Sequence, residues 1–237
     1  MSRRFQFSLR ALLVTVLAIA LALGFKTGAK HRQTAAIARL RAKGAEITAE
    51  GPKTSRGGVV DELKSALGMD SGPVKVMLLE DATVFADEDV LLIGDVHDAT
   101  DVWVSSDHIT AKSLRAFSRL PNLQRLSLIT ASISDEELGE LRRCKGLREM
   151  QLYLRCVGDA GLGHVLAMPQ LERLCLYPVT ASNDRLLKLA GLSRLKELVL
   201  NGEDCDPALE TRLRKMLPQC LVVAQGTGLY LIGEKDE

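Results

Sequence analysis

One pattern of apolar and polar positions recurs through the middle of the chain, and "LPNLQRLSL" (residues 120–128) is a clear copy of it. The pattern is L-x-x-L-x-L. Its first position falls at Ala99, Leu123, Leu147, Leu171 and Leu195. Neighbouring copies keep a constant 24-residue spacing, and no insertion interrupts the five units. A period kept this strictly indicates a repeat architecture, because leucine-rich composition alone does not produce it.

Each unit predicts a short strand, a tight turn and about two turns of helix. The fourth and sixth positions are apolar in every unit, as expected for a strand with one buried face. The position that follows the turn holds residues that favour a helix N-terminus: Thr110, Ser134, Gly158, Ser182 and Asp206. Apolar columns at helical spacing come next. Such a unit cannot bury its apolar face alone, so we expect the units to stack as a parallel sheet backed by helices.

These repeats resemble the leucine-rich repeat superfamily, in particular its ribonuclease-inhibitor-like and cysteine-containing types. "SDEELGEL" and "GDAGLGHV" are similar to the t-D-x-x-L element of those repeats. The resemblance implies an α/β solenoid with a parallel β-sheet on the concave side and short helices on the convex side. One departure concerns the Asn usual after the strand, which is replaced by Asp107, Ala131, Arg155, Val179 and Glu203. The hydrogen-bonded Asn ladder of the family is therefore not expected here.

The two ends of the repeat region differ from its middle. Upstream, "FADEDV" (85–90) matches the helix start of a further unit, whose strand "VKVMLLE" fits the pattern less well, and we interpret this unit as an N-terminal capping repeat. Downstream, "LPQCLVVAQ" predicts a final strand, and "LVVA-QGTG-LYLI" predicts a hairpin that covers the open edge. We therefore expect six to seven 24-residue units over 74–225, with a capping strand and tail over 226–237.

The N-terminal residues predict membrane attachment. Ala11–Phe25 is an uncharged apolar run, and its length fits both a signal-peptide core and a short membrane span. We favour an uncleaved signal anchor, a transmembrane helix over 1–28, with a cleaved and secreted protein as the alternative. "FSLRALL" resembles a signal-anchor motif of membrane-attached bacterial proteins of planctomycete type, which implies a single-pass protein with its repeat domain outside the cytoplasm.

Residues 29–73 predict a basic helix, a linker and an N-terminal cap. We interpret the helix over 29–43 as a stalk, with a membrane-surface helix as the alternative. Residues 1–58 carry 11 Lys and Arg against two acids, whereas the rest of the chain carries 20 basic and 28 acidic residues. A basic arm ahead of an acidic body is typical of a membrane-proximal segment, and it argues against nucleic-acid binding by the body.

The sequence contains no recognisable catalytic or metal-binding arrangement. "GMDSG" (68–72) is not a G-x-S-x-G elbow, and neither a P-loop nor a G-x-G-x-x-G is present. The four histidines lack metal-ligand spacing, and the five cysteines, an odd number without a C-x-x-C pair, are interpreted as buried thiols. We therefore expect no enzyme activity, no metal, no cofactor and no small-molecule substrate.

The strand positions between the pattern leucines point to the other face of the sheet. The third position alternates in charge and predicts a row of cross-strand ion pairs or, alternatively, only strand register and solubility: Asp101, Arg125, Glu149, Arg173 and Glu197. Trp103 at the fifth position, with Ile129, Tyr153 and Tyr177 at the seventh, predicts an exposed aromatic strip.

We expect these nine side chains to bind an unknown protein or peptide. The predicted function is a membrane-anchored, non-catalytic leucine-rich repeat scaffold for protein–protein interaction through the concave face of its β-sheet. The alternative is a structural spacer of the cell envelope, or a solenoid that self-associates through its edges.

Overall fold

Eight strands form a single sheet in the order in which they occur along the chain. The computed structural model describes residues 28–49, 73–79, 84–202, 205 and 207–225. The strands are β1 Glu46–Ala49, β2 Val74–Leu78, β3 Ala99–Ser105, β4 Arg125–Ile129, β5 Glu149–Val157, β6 Arg173–Val179, β7 Glu197–Asn201 and β8 Leu221–Gln225. β1 pairs antiparallel with β2, and every later pair is parallel. The predicted α/β class with a parallel sheet is confirmed.

A longer helix, α1 over 28–42, precedes β1. Short helices connect the consecutive parallel strands: α2 Asp87–Ile93, α3 Ala111–Phe117, α4 Asp159–Leu166, α5 Asn183–Leu186 and α6 Pro207–Met216. The unit after β4 has a 3₁₀ helix at Glu137–Arg143 instead, and α5 continues as a 3₁₀ helix over Leu187–Gly191. Two turns of helix per unit were predicted, and the seven or eight residues of α2, α3 and α4 match that length.

The 24-residue period of the sequence is also the pairing register of the sheet. Arg125 lies opposite Asp101 on one side and opposite Glu149 on the other, and the same register continues to Arg173 and Glu197. β2 joins with a shift in register between Val74 and Lys75, which accounts for the weaker match of its strand to the pattern. The arrangement is compatible with a solenoid.

One continuous apolar core lies between the sheet and the helices. The fourth- and sixth-position side chains enter it from the strands, and the helical columns enter it from the other side, as Leu114 and Phe117 do from α3. Burial of each leucine contributes about 1.5–3 kcal/mol. Because each unit covers the leucines of its neighbours, the core is a property of the stack and not of any one unit.

A row of aspartates on the helix side joins each unit to the next one. Asp87 accepts hydrogen bonds from the backbone amide (2.7 Å) and hydroxyl (2.6 Å) of Thr110 and from the hydroxyl of Ser113 (2.6 Å). Asp159 accepts the amide (2.9 Å) and hydroxyl (3.1 Å) of Ser182. Asp159 is the D of a D-x-x-L element, and Asp87 occupies the same place in its unit, where Val90 replaces the Leu. The residues expected as N-caps are therefore bound by the preceding unit.

The row changes the interpretation of the predicted N-caps. Thr110 does cap its own helix, because its hydroxyl accepts a hydrogen bond from the amide of Lys112 (3.3 Å). Ser182 precedes α5, but its side chain makes no capping hydrogen bond to that helix. Asp135 continues the row by accepting the amide of Gly158 (3.0 Å), a glycine that precedes α4.

Other groups hold the turns where the family has its Asn ladder. The Oδ1 atom of Asp107 accepts the amide of Ala131 in the next unit (2.5 Å). The Ser132 hydroxyl donates to the carbonyl of Ile109 (2.7 Å), and the amide of Thr130 donates to the carbonyl of Tyr153 (2.9 Å). Backbone groups and short polar side chains therefore form the hydrogen bonds of these turns without a column of Asn.

Helix α1 covers the first edge of the core. Ala36 and Leu40 are buried in it, and the helix ends at Gly44, whose φ of 100° suits a residue without a side chain. Lys43 forms an ion pair with Asp89 of α2 (2.5 Å), and β1 then runs back along β2. The helix is thus a cap that packs against the repeats, and its interpretation as a stalk is wrong.

Four predicted features lie outside the described residues: the signal anchor, the linker that follows the basic helix, the second strand of the C-terminal hairpin and the N-cap at Asp206. Among the residues that are described, no helix combines the length and the apolar composition needed to cross a membrane. The final strand of the repeats is confirmed as β8, with Val222 and Ala224 buried as the pattern requires.

We predict that replacing Asp87 by Ala lowers the free energy of unfolding by about 1–3 kcal/mol, because the hydroxyl of buried Ser113 loses its acceptor. Urea denaturation measures the change. Asp184→Ala, at an exposed first-turn acid of α5, is the matched control, and its effect should stay within about 0.5 kcal/mol. Equal losses in the two variants would contradict the structural role of the aspartate row.

We also predict that this stabilisation depends on pH. Burial on its own raises the pKa of Asp87, but the hydrogen bonds from Ser113 and Thr110, together with the charge of Lys112, lower it below its usual 3.8. A carboxyl group with a lowered folded-state pKa stabilises the fold above 3.8, and this stabilisation is lost as the pH falls through the folded value. The difference between the wild type and Asp87→Ala should therefore shrink below pH 3.8. A constant difference would mean that the charge of Asp87 is unimportant.

Candidate interaction surface

All nine side chains expected to bind a partner belong to one face of the sheet. We call it the outer face, and it consists of the third, fifth and seventh positions of β3 to β7, opposite the core. Strand pairing aligns these positions in rows that run across the strands. The charged residues form one row, and Ile129, Tyr153 and Tyr177 form another. Trp103 lies in a third row, where it is paired with Ser127.

The charged row forms three of the four cross-strand ion pairs that its alternating signs predict. Arg125 pairs with Asp101, and Arg173 lies 3.5 Å from Glu149 on one side and 3.5 Å from Glu197 on the other. Asp101 also accepts a hydrogen bond from the hydroxyl of Thr100 (2.6 Å). The arginine side chains are largely solvated, so each pair contributes only about 0.2–1 kcal/mol.

A second charged row, not predicted from the sequence, runs beside the first. Glu172 accepts hydrogen bonds from Arg148 (2.9 Å) and Lys196 (2.5 Å), its neighbours in the adjacent units. The hydrogen bonds from Lys196 and Arg148 hold the pKa of Glu172 below its usual value. The signal was present in the sequence, because these three residues occupy the second position of the pattern in three consecutive units.

A polar cleft of about 550 Å³ lies between the two charged rows near the starts of the strands. Its charged lining residues are Asp98, Asp101, Arg125, Arg148, Glu149 and Glu172. Each already has a partner within the chain; Asp98, for example, accepts a hydrogen bond from Gln33 of α1 (2.8 Å). A ligand would have to displace these partners, so this cleft offers little free energy for binding.

The aromatic row is more deeply packed than its sequence suggests. The rings of Tyr153 and Tyr177 lie 6.0 Å apart between centroids, at an angle of 50°. Tyr153 is only 9% exposed because it packs against Cys175 and Val199, and these three residues form an apolar cluster separate from the main core. The prediction of an exposed strip is therefore wrong for Tyr153.

The remaining members of the predicted strip, Ile129, Tyr177 and Trp103, are half-buried. Ile129 and Tyr177 pack at the margin of the cluster around Tyr153. Large side chains on adjacent strands cover one another because parallel strands lie only about 4.8 Å apart. Packing within the row thus leaves a grooved surface in place of a row of free rings.

A cleft of about 410 Å³ opens beside this aromatic row, toward the ends of β4 to β6. We call it the aromatic cleft. Its lining residues are Asp107, Ile129, Thr130, Ala131, Tyr153, Leu154 and Tyr177. The sequence predicted only the isoleucine and the tyrosines as binding residues. Leu154 lies within β5, and Asp107, Thr130 and Ala131 follow their strands, at positions whose contribution depends on how each turn folds over the sheet.

The thiols and the buried phenol near the cleft are held in their neutral forms. Burial raises the pKa of Cys175 to about 11, and it also raises the pKa of Tyr153, whose hydroxyl lies 3.8 Å from the Cys175 sulfur. Cys144 and Cys205 are buried as predicted, but Cys156 is exposed and Cys220 is half-buried. A protonated, buried thiol is a poor nucleophile, so Cys175 acts as an apolar packing group.

We predict that Arg173→Glu, which places three carboxylates side by side in the charged row, lowers the free energy of unfolding by about 1–2 kcal/mol. The loss should decrease at high salt because these side chains are partly solvated. Urea denaturation at low and high ionic strength measures both effects. Arg194→Glu, at an exposed turn position, is the control. A salt-independent loss would show that the row is buried more deeply than the structure indicates.

The outer face thus carries two clefts with different chemistry. The cleft between the charged rows is polar and internally paired, whereas the aromatic cleft is mainly apolar. Comparison with models of known protein families gives no match, and comparison with curated proteins gives none either.

Proposed function

We propose that this protein is a membrane-anchored, non-catalytic leucine-rich repeat solenoid that binds a protein or peptide partner through the aromatic cleft. The observation that carries the proposal is the cleft itself, which has about 410 Å³ of volume and is bordered by Ile129, Tyr153 and Tyr177. Its volume suits one or two apolar side chains of a partner. Tyrosines beside an apolar depression are typical of the residues that dominate binding energy in protein interfaces.

The packing beneath the cleft supports binding with little rearrangement. Tyr153 is fixed by Tyr177, Cys175 and Val199, so its ring loses little freedom when a partner binds. Asp107 at the rim already accepts the amide of Ala131, which holds the adjoining turn in place. A preformed, apolar site on a rigid sheet suits recognition of a partner's side chain.

Three features support the remaining parts of the proposal. The 24-residue register and the helices behind a parallel sheet support the solenoid. The apolar run Ala11–Phe25 between basic flanks supports the membrane anchor and, through the signal-anchor resemblance, a repeat domain outside the cytoplasm. The internal pairing of the charged residues that line the polar cleft supports a binding role over catalysis.

We predict that Ile129→Gln weakens partner binding by roughly tenfold or more, because it places an amide at the apolar margin of the cleft. Ile129 is a sharper probe than Tyr153, whose replacement by Ala would also cost about 2–4 kcal/mol of stability. The measurement is a peptide-display selection on the wild type, followed by titration of the selected peptides against each variant.

The matched control is Leu221→Gln, which makes the same kind of change at an exposed apolar residue of β8 outside the cleft. Selected peptides should contain an apolar or aromatic side chain and should bind the Leu221 variant as tightly as the wild type. If no peptide is selected, or if peptides bind both variants equally, the cleft is not the site. The structural spacer would then be the better interpretation.

A further inference from the structure

The surface of α1 that faces solvent is basic along its whole described length. Lys30, Arg32, Arg39 and Arg41 are exposed, and no acidic residue occurs between residue 26 and Glu46. Lys30, Arg32 and Arg39 form no ion pair within the described part of the chain, whereas Arg41 donates to the carbonyl of Ile47 (2.8 Å). Three cations of this helix are therefore available to an anionic partner.

The cations have a definite arrangement around the helix. At about 100° per residue, Arg32 and Arg39 lie on one side of the buried stripe, and Lys30 and Arg41 lie on the other. The face between them, opposite the stripe, carries small or polar exposed residues: Ala35, Ala38 and Ala42 together with His31 and Thr34. A face without acids or bulky side chains, flanked by basic residues, lets the helix approach a lipid surface closely enough for its cations to reach the headgroups.

The helix is fixed to the repeats and cannot turn independently of them. Ala36 and Leu40 are buried in the core, and Ile37 packs against it. Two polar contacts also fix the orientation of the helix on the repeats: Lys43 pairs with Asp89 (2.5 Å), and Gln33 donates to Asp98 (2.8 Å). Whatever binds the basic face of α1 therefore also positions the first edge of the sheet.

The apolar run of the sequence ends very close to this helix. Only Lys26 and Thr27 separate Phe25 from residue 28, so three extended backbone steps join these residues and they lie at most about 11 Å apart. This distance is close to the screening length of about 8–10 Å at physiological salt. Residues 59–237 carry a net charge of −8, so an anionic surface attracts the cap and repels the rest of the protein.

We propose that α1 docks on anionic lipid headgroups and holds the first edge of the repeats at the membrane surface. The proposal rests on the membrane attachment proposed above, but it does not depend on the aromatic cleft. Docking at one end keeps the acidic repeats away from the bilayer. The partner-binding face is then presented at a short and fixed distance from the membrane, without a flexible stalk.

The test uses the intact chain reconstituted into phosphatidylcholine vesicles with and without phosphatidylglycerol. An environment-sensitive fluorophore is attached at Ala35→Cys, on the exposed alanine face, in a Cys156→Ser background. Burial raises the pKa of Cys144, Cys175 and Cys220 to about 11, which slows their labelling. We expect a blue shift only with phosphatidylglycerol, and we expect high salt to reverse it.

The decisive comparison is between two triple variants. Lys30→Gln with Arg32→Gln and Arg39→Gln should weaken docking by roughly a hundredfold, since each cation near an anionic surface contributes about a factor of five, and should abolish the blue shift at the phosphatidylglycerol content that gives half of it in the wild type. The matched control neutralises three exposed cations of other units, Arg142, Lys145 and Arg212, and should leave the response unchanged. Circular dichroism checks that both variants fold.

Four results would overturn the proposal. They are a blue shift of equal size in pure phosphatidylcholine, equal responses from the two triple variants, displacement of the labelled helix from vesicles by duplex DNA, and release of the intact protein from vesicles by a salt wash. The last result would also contradict the proposed membrane anchor. Binding of the selected peptides, measured in the same samples, should be unaffected by either triple variant, so a failure of the cleft is distinguished from a failure of α1.

Discussion

Burial of the pattern leucines between neighbouring units is the constraint on which the rest of the structure depends. Leu126 and Leu128 are almost completely buried, and their burial requires a helix behind them and a strand on each side. One unit cannot supply these contacts for itself. Strict 24-residue spacing follows, because an inserted residue would turn the side chains of a strand to the wrong face. The aspartate row, with Asp87 bound to the next unit, adds a second connection at the same spacing.

The same register determines the chemistry of the outer face. Residues one repeat apart become neighbours about 4.8 Å away, so Glu149 is closer to Arg125 and Arg173 than its position in the chain suggests. In one row, residues of opposite charge become neighbours and form ion pairs. In another row, large apolar side chains pack against one another. Tyr153 is buried for that reason. Its burial makes the aromatic cleft rigid, which suits the proposed recognition of a partner.

At the first edge of the sheet, α1 closes the core, and we propose that the same helix docks on the membrane. Leu40 and Ala36 close the core beside the first described unit of the stack, and β1 pairs with β2. The exposed cations of α1 follow the apolar N-terminal run in the sequence. The position of the buried stripe on this helix could be read from its pattern. Its packing against the repeats could not, because a helix with a small apolar stripe is equally compatible with a free stalk.

The sequence by itself determined the repeat length, the parallel order of the strands and the membership of each row, because all three follow from residue spacing. It also predicted three of the ion pairs of the charged row, since opposite charges at the same position of adjacent units become neighbours in the register. Only the tertiary structure decided how deeply Tyr153 is buried and which turn residues border the aromatic cleft. It also decided that Asp87 accepts a hydrogen bond from Thr110 of the next unit. These properties depend on side-chain direction and on how each turn folds over its neighbour, and spacing along the chain carries no information about either.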